Sequence, residues 1–243
     1  MEHRSLSSLL KPNAEYGIGI IPKPAAEDIL SEKESEAEER RAEAKAWRDQ
    51  EPKFKRLKRL ALDLGIQKVI VSSNSTSQDM GNYVRCGWEV DFLSVSMSSQ
   101  DGGLREWNLS KEQVRSVNRR EAPVILIDYR GCFEIEDGHF RTLAHEIGHH
   151  LEHIARLTEQ EKDRPTTKTM RGLFSETALH KCCSEINAEC FMEYLTSSAV
   201  RRGVERHLRP ILCRIRVHNP NAATLMESYR KHRKTVHGFV DKK

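Results

Sequence analysis

The chain has few aromatic side chains, 6% of its 243 residues, and no apolar run long enough to cross a bilayer. Charged residues make up 31% of it, and this hydrophilic composition argues against a fold built mainly of β-sheet. The N-terminal region contains only a broken apolar stretch, without the small-residue signature of a cleaved signal. We therefore expect a cytoplasmic protein rich in solvated helices, with no membrane partner.

Cysteine is also sparse. The six cysteines are irregularly spaced and form no paired CxxC motif, so a disulfide framework is not expected and the thiols are predicted to be reduced. The adjacent Cys182 and Cys183 are poor zinc ligands, because neighbouring residues on a helix do not readily bind one ion. No cysteine lies in a recognisable nucleophile context, which argues against a cysteine protease.

The N-terminal region contains two candidate helices. Residues 27–50 mix Glu, Ala, Lys and Arg with opposite charges three and four positions apart, which favours an exposed helix. We expect Pro52 to end this helix. Apolar residues then recur at helical spacing from Phe54 to Leu64, and Gly65 is a predicted stop.

Three segments have the composition of β-strands. Lys68–Ser73, Val84–Met97 and Pro123–Tyr129 are rich in β-branched residues or alternate in polarity, and turn residues separate them. The pattern predicts an α+β fold with a sheet of three or four strands.

A helix that carries metal-binding residues is predicted directly after the third strand. The segment FRTLAHEIGHHLEHIARL lacks proline, and Asp137 is a candidate N-cap. Its apolar positions fall on one stripe: Phe140, Leu143, Ile147, Leu151 and Ile154. His145 and His149 lie together on the opposite side, which is expected to face a cleft.

The motif His145-Glu146-Ile147-Gly148-His149 favours zinc chemistry. Two histidines four apart on a helix can share one Zn²⁺. Glu146 projects to the side and is placed to act as a general base towards a water on the metal. The alternative is an exposed helix whose histidines have no ligand role.

Neighbouring residues narrow the class of zinc site. His150 and His153 are less favourably placed for the same ion. Glu152 and Ala155 occupy the positions where the metzincin pattern needs a glycine and a third histidine, which excludes that class.

A catalytic zinc site requires a third protein ligand. The segment Ser175–Thr196 reads as a second helix, in which Glu185 and Glu189 share one face. Glu185 is the candidate ligand, and Glu189 could hold His145 through its other ring nitrogen. His180 and Glu176 remain alternatives; a three-histidine site would be similar to that of the SprT-type DNA-repair proteases.

The two segments IDYR…FRTLAHEIGHHLEH and EINAECFMEYL resemble the ImmA/IrrE family of gluzincin-like metallopeptidases over roughly residues 120 to 196. The resemblance implies a small zincin-like fold, a sheet packed on the HExxH helix, with His145, His149 and Glu185 as zinc ligands and Glu146 as the base. It also implies hydrolysis of a peptide bond in an intracellular protein. Glu189 stands where the family often has Asn, and no helix-turn-helix domain is evident.

We predict three regions: an N-terminal arm and charged helix over 1–53, the metallopeptidase domain over 54–200, and a basic helical extension over 201–243. The extension could contact nucleic acid or an acidic partner, or be simply a solvated basic face. Its apolar residues predict packing on the domain: Leu208, Ile211, Leu212 and Ile215. Two other functions stay open, a nucleic-acid-associated zinc protein and a zinc hydrolase of non-peptide amides.

Overall fold

A computed structural model describes residues 23–72, 80–85, 107, 109, 111–115, 123–129, 131–134, 136–162 and 182–237. The chain forms two compact units, residues 1–45 and 46–243. The division into three regions with boundaries after residues 53 and 200 stays a prediction. The predicted strand over 84–97 lies outside the described residues from position 86 onwards, as do Ser175, Glu176 and His180.

The fold is α+β, mostly helical with one small mixed sheet. The helices are α1 (Lys23–Asp63), α2 (Lys111–Arg115), α3 (Gly138–Ile154), α4 (Glu159–Lys162), α5 (Cys183–Thr196), α6 (Arg202–His218) and α7 (Pro220–His237). The strands are β1 (Lys68–Ser72), β2 (Gly81–Val84) and β3 (Val124–Asp128). Within the described parts of the chain, no helix combines the length and the apolar character needed to cross a membrane.

The sheet has the strand order β1-β3-β2. β1 runs parallel to β3, with Lys68 opposite Val124, and β2 runs antiparallel to it, with Gly81 opposite Ile127. All five residues of β3 are buried, as expected for a central strand covered on both faces. The strands at Lys68–Ser72 and Val124–Asp128 confirm two of the predicted segments, whereas most of β2 precedes the predicted second strand.

The prediction that Pro52 ends the first helix is wrong, because α1 continues through it to Asp63. A proline inside a helix costs about 3 kcal/mol through a lost hydrogen bond and a clash with the preceding turn. Phe54, Leu57 and Leu60 follow it and are buried, each contributing about 1.5–3 kcal/mol. This burial offsets the cost. Gly65 adopts φ 98° just after the helix, which agrees with its predicted role as a stop.

One hydrophobic core lies on a face of the sheet and joins it to α3, α5, α6, α7 and the C-terminal part of α1. The predicted apolar stripe of α3 enters this core: Phe140, Leu143, Ile147 and Leu151 are buried, and Ile154 is partly buried. A smaller cluster containing Trp107 covers the other face of the sheet. Helix α3 is therefore fixed by its apolar side.

Helix α6 packs on the same core, which confirms the predicted packing of its apolar residues. Leu208 and Ile215 are fully buried. Arg214 donates to the backbone oxygens of Ala155 and Arg156, at 3.1 and 2.7 Å, and pairs with Glu161 at 2.7 Å. These contacts satisfy carbonyl groups at the C-terminal end of α3, where a cation is favourable.

Candidate metal centre

Helices α3 and α5 approach closely at Gly148. A Cβ atom at this position would lie 2.7 Å from the Cα atom of Ala188 and 3.1 Å from its carbonyl oxygen. The absent side chain therefore permits the close contact between the two helices. Since His145 faces Glu189 while His149 faces Ser184, the helices run antiparallel.

This crossing brings together the three residues predicted as metal ligands. His145, His149 and Glu185 each offer a ligand atom, and the three atoms lie within 4.8 Å of one another. His145 Nε2 is 3.4 Å from one carboxylate oxygen of Glu185, and His149 Nε2 is 3.5 Å from the other. The group is able to hold a metal ion.

The nitrogen-to-oxygen distances are compatible with a small metal ion. Ligands at about 2.0–2.2 Å from a tetrahedral zinc ion are about 3.3–3.6 Å apart, and each histidine Nε2 lies about that far from a different carboxylate oxygen of Glu185. The histidine side chains are only 16% and 17% exposed, whereas that of Glu185 is 37% exposed. The group therefore lies at the edge of the core, where it is accessible from solvent.

Glu189 lies near the other ring nitrogen of His145, although the contact is long. Glu189 Oε1 lies 3.7 Å from His145 Nδ1, which is within the range of an ion pair but beyond that of a hydrogen bond. The role of Glu189 in holding His145 stays a prediction.

Behind His149, the structure shows a buried polar chain to which the sequence analysis gave no role. His149 Nδ1 is 3.1 Å from Ser184 Oγ, which donates to Glu152 at 2.5 Å. Burial lowers the pKa of His149, but the nearby carboxylate of Glu152, 3.6 Å from Nδ1, and the charges of Glu146 and Glu185 outweigh it, so the pKa is raised. Glu152 lies three residues after His149, and this spacing on one helix face was the available signal.

Glu146 lies outside the ligand group and against strand β2. Its side chain is buried, and a Cβ atom at Gly81 would be 2.6 Å from Glu146 Oε1 and equally close to a methyl carbon of Thr142. A side chain at position 81 would displace the carboxylate. The charge of Glu146 acts on His149, which places it near the metal-binding atoms without making it one of the three ligands.

His150 and His153, two further histidines of α3, take no part in this group. His150 is buried, with Nδ1 3.1 Å from the Tyr83 hydroxyl and Nε2 3.1 Å from the Leu64 carbonyl. Burial lowers its pKa to about 4, so it is neutral near pH 7. His153 is exposed, as expected of a solvated residue.

A cavity of about 420 Å³ lies between the N-terminal part of α3 and the C-terminal part of α5, and none of the three candidate ligands lines it. Arg141 lies one turn before His145, and Glu189 and Glu193 lie one and two turns after Glu185; all three line the cavity. Glu193 pairs with Arg201 at 2.6 Å. Phe140 and Met192 add apolar surface, so both charged and apolar side chains line the cavity.

Comparisons with protein-family models, with curated proteins and with solved structures give no match to this chain.

Proposed function

We propose that this protein is a zinc-dependent metallopeptidase in which His145, His149 and Glu185 bind Zn²⁺ and Glu146 is the general base. One observation carries the proposal: three ligand atoms lie within 4.8 Å of one another, and the carboxylate of the residue next to His145 is packed outside that group. A structural metal site has no need of this additional carboxylate.

The ligand set alone does not select the metal, because two histidines and a carboxylate also bind iron in oxygenases. Glu146 favours zinc, since a buried carboxylate beside the ligands is suited to moving protons in hydrolysis. When bound, zinc would lower the pKa of a water molecule and polarise a carbonyl group. Glu146 would accept the proton of the attacking water and deliver it to the leaving amine.

The position of β2 supports a peptide as substrate. β2 lies at an edge of the described sheet, and its Gly81 lies against Glu146. An extended peptide that hydrogen-bonds to a sheet edge places its own carbonyl groups along that edge, and here this would bring one close to the base. An antiparallel edge strand beside the HExxH helix also supports a zincin-like fold and a relationship to the ImmA/IrrE family.

The cysteines favour an intracellular protein substrate. Five of them fall within the described residues and are free thiols, which suits a reducing compartment.

A Glu146→Gln variant tests the proposal. We expect elemental analysis to find about one zinc per chain in both proteins, because the substitution leaves the ligands intact. Incubation with a mixture of peptides from digested cell protein, followed by mass spectrometry of new termini, should show cleavage by the unchanged protein only. Glu159→Gln, which alters an exposed carboxylate on α4, is the control and should remain active.

Two results would overturn the proposal: no zinc in the unchanged protein after expression with zinc, or equal cleavage by the Glu146→Gln variant.

A second candidate function is association with nucleic acid through α6. Arg202, Arg206 and Arg209 are exposed and recur at helical spacing on one face, where they could contact successive phosphates. Deletion of α7 would be a poor test, because Ala222 and Met226 are buried in the core. We expect replacement of the three arginines by glutamine to weaken binding to a fluorescent DNA or RNA and to reduce its salt dependence. Unchanged binding would contradict this candidate.

A further inference from the structure

The buried polar chain behind His149 connects the metal centre to α6. Glu152 is 1% exposed and Asn187 is 4% exposed. Glu152 accepts from Ser184 through one carboxylate oxygen, at 2.5 Å, and from the Asn187 amide through the other, at 2.6 Å. His207 Nε2 on α6 lies 2.7 Å from Asn187 Oδ1. A buried carboxylate with both oxygens engaged fixes the groups that donate to it.

The donor and acceptor roles along the chain follow from Glu152. Ser184 donates its hydroxyl proton to Glu152, so its oxygen is left to accept from His149 Nδ1–H. Asn187 must direct its NH₂ group at Glu152, so its oxygen accepts from His207 Nε2–H. A proton on Nδ1 leaves His149 Nε2 with its lone pair, and this is the atom that faces Glu185.

We propose that Glu152 is a positioning residue, which acts through Ser184 to hold His149 in the tautomer and orientation that bind the metal. Asn187 and His207 hold Glu152 in turn, so that α6 contributes to the metal centre without touching it. The inference rests on the proposed metal site. It differs from the predicted role of Glu189, because Glu189 lies behind the other histidine and only at 3.7 Å.

Zinc affinity measured by competition with a chromophoric chelator tests this inference. Ser184→Ala removes the link between His149 and Glu152, and we expect affinity to fall about 10–100-fold, as for other groups that orient a ligand. Ser184→Thr keeps the hydroxyl and should restore most of the affinity. Thr196→Ala removes another hydroxyl of α5, which donates to Met192 O, and should leave zinc affinity unchanged.

Glu152→Gln provides a second variant. Its amide has one acceptor oxygen, so it cannot accept from Ser184 and Asn187 at once, and one of the two present hydrogen bonds is lost. If Glu152 acts through Ser184, the double variant Ser184→Ala/Glu152→Gln should have about the same zinc affinity as whichever single variant has the lower affinity. The absorption spectrum of bound Co²⁺ should also change in Ser184→Ala, because the ring of His149 is no longer held.

The outcomes separate this inference from the proposed function. If the unchanged protein fails to bind zinc, both are overturned. A second outcome is that the unchanged protein, Ser184→Ala and Glu152→Gln all bind zinc equally well, while the melting temperature of the metal-free variants falls. In that case the hydrogen bonds through Ser184 and Glu152 only stabilise the fold, and the positioning role is wrong. Full additivity of the two losses would show that Glu152 does not act through Ser184.

Discussion

The helix pairs α3–α5 and α6–α7 share one hydrophobic core and, apart from the contacts of His207 and Arg214 on α6, differ in where their polar residues lie. The first pair buries polar groups, among them Glu146, Glu152 and Asn187. The buried residues described for the second pair are all apolar, and Arg206 and Arg209 point to solvent. Buried polar groups need specific partners at specific distances, so single substitutions should be far more damaging in the first pair.

The largest effect is expected from loss of the third ligand. Glu185→Ala removes the carboxylate that faces both histidine Nε2 atoms. It should reduce zinc affinity more than about 100-fold, which is the largest effect expected for groups that only orient ligands. Isothermal titration with Zn²⁺ measures this loss. His180→Ala should bind zinc almost as the unchanged protein does. The reverse result would favour a three-histidine site of the SprT type.

The next largest effect is expected at the helix crossing. Gly148→Ala gains about 1 kcal/mol of helix propensity, but its Cβ would lie 2.7 Å from the backbone of Ala188. We expect a net loss of about 1–3 kcal/mol in the free energy of unfolding, measured with urea.

Because the crowded atoms are the Cα and carbonyl oxygen of Ala188, adding Ala188→Gly should not restore the stability of Gly148→Ala. Recovery in the double variant would show that the helices are not held apart by backbone contact.

Sequence patterns predicted α3 well, because a strong apolar stripe and a polar face are both local properties. The spacing of His145 and His149 and the position of Glu185 were similarly visible. The chain through Glu152, Ser184 and His207 was not, because it joins residues from three helices and depends on how they pack. Glu152 had drawn attention only as a departure from the metzincin pattern.

Two features of the fold also depended on tertiary contacts. Pro52 was predicted to end a helix from its own chemistry, whereas burial of the residues after it decides the outcome. Most of β2 was missed because its first two residues, Gly81 and Asn82, are poor strand formers. Its place is set by pairing with β3 and by the contact between Gly81 and Glu146.

A smaller effect concerns acid stability at the N-terminal end of α3. His139 is fully buried; Gln50 donates to its Nδ1 at 3.0 Å, and its Nε2 donates to the Tyr129 carbonyl at 2.9 Å. Burial lowers the pKa of His139 below its ordinary value of 6.5. The unfolded chain therefore binds this proton more readily, and the stabilisation is present above about pH 6.5 and lost as the pH falls below it.

Urea unfolding of chelator-treated protein between about pH 5 and 7.5 measures this effect. His139→Gln should make stability less dependent on pH, by at most about 1.4 kcal/mol per pH unit, the limit for one proton. His218→Gln alters an exposed histidine of α6 and should leave the dependence unchanged. Equal pH dependence in all three proteins would contradict the assignment.

The smallest effect is expected on the exposed face of α6. Arg206→Gln and Arg209→Gln should each change the free energy of unfolding by no more than about 0.5 kcal/mol, because surface substitutions rarely do more. Zinc affinity should also be unchanged. A loss of zinc affinity as large as that expected for Ser184→Ala would remove the contrast between the two helix pairs.

The packing of α6 has a consequence for the order in which the protein is made. The ribosome delivers His145, His149 and Glu185 before Val204, Leu208 and Ile215, which are fully buried in the core that supports them. Chains fold from the N-terminal side as they emerge, yet this core lacks one wall until α6 has been synthesised. We expect the nascent chain to acquire the proposed metal centre only after α6 has been synthesised.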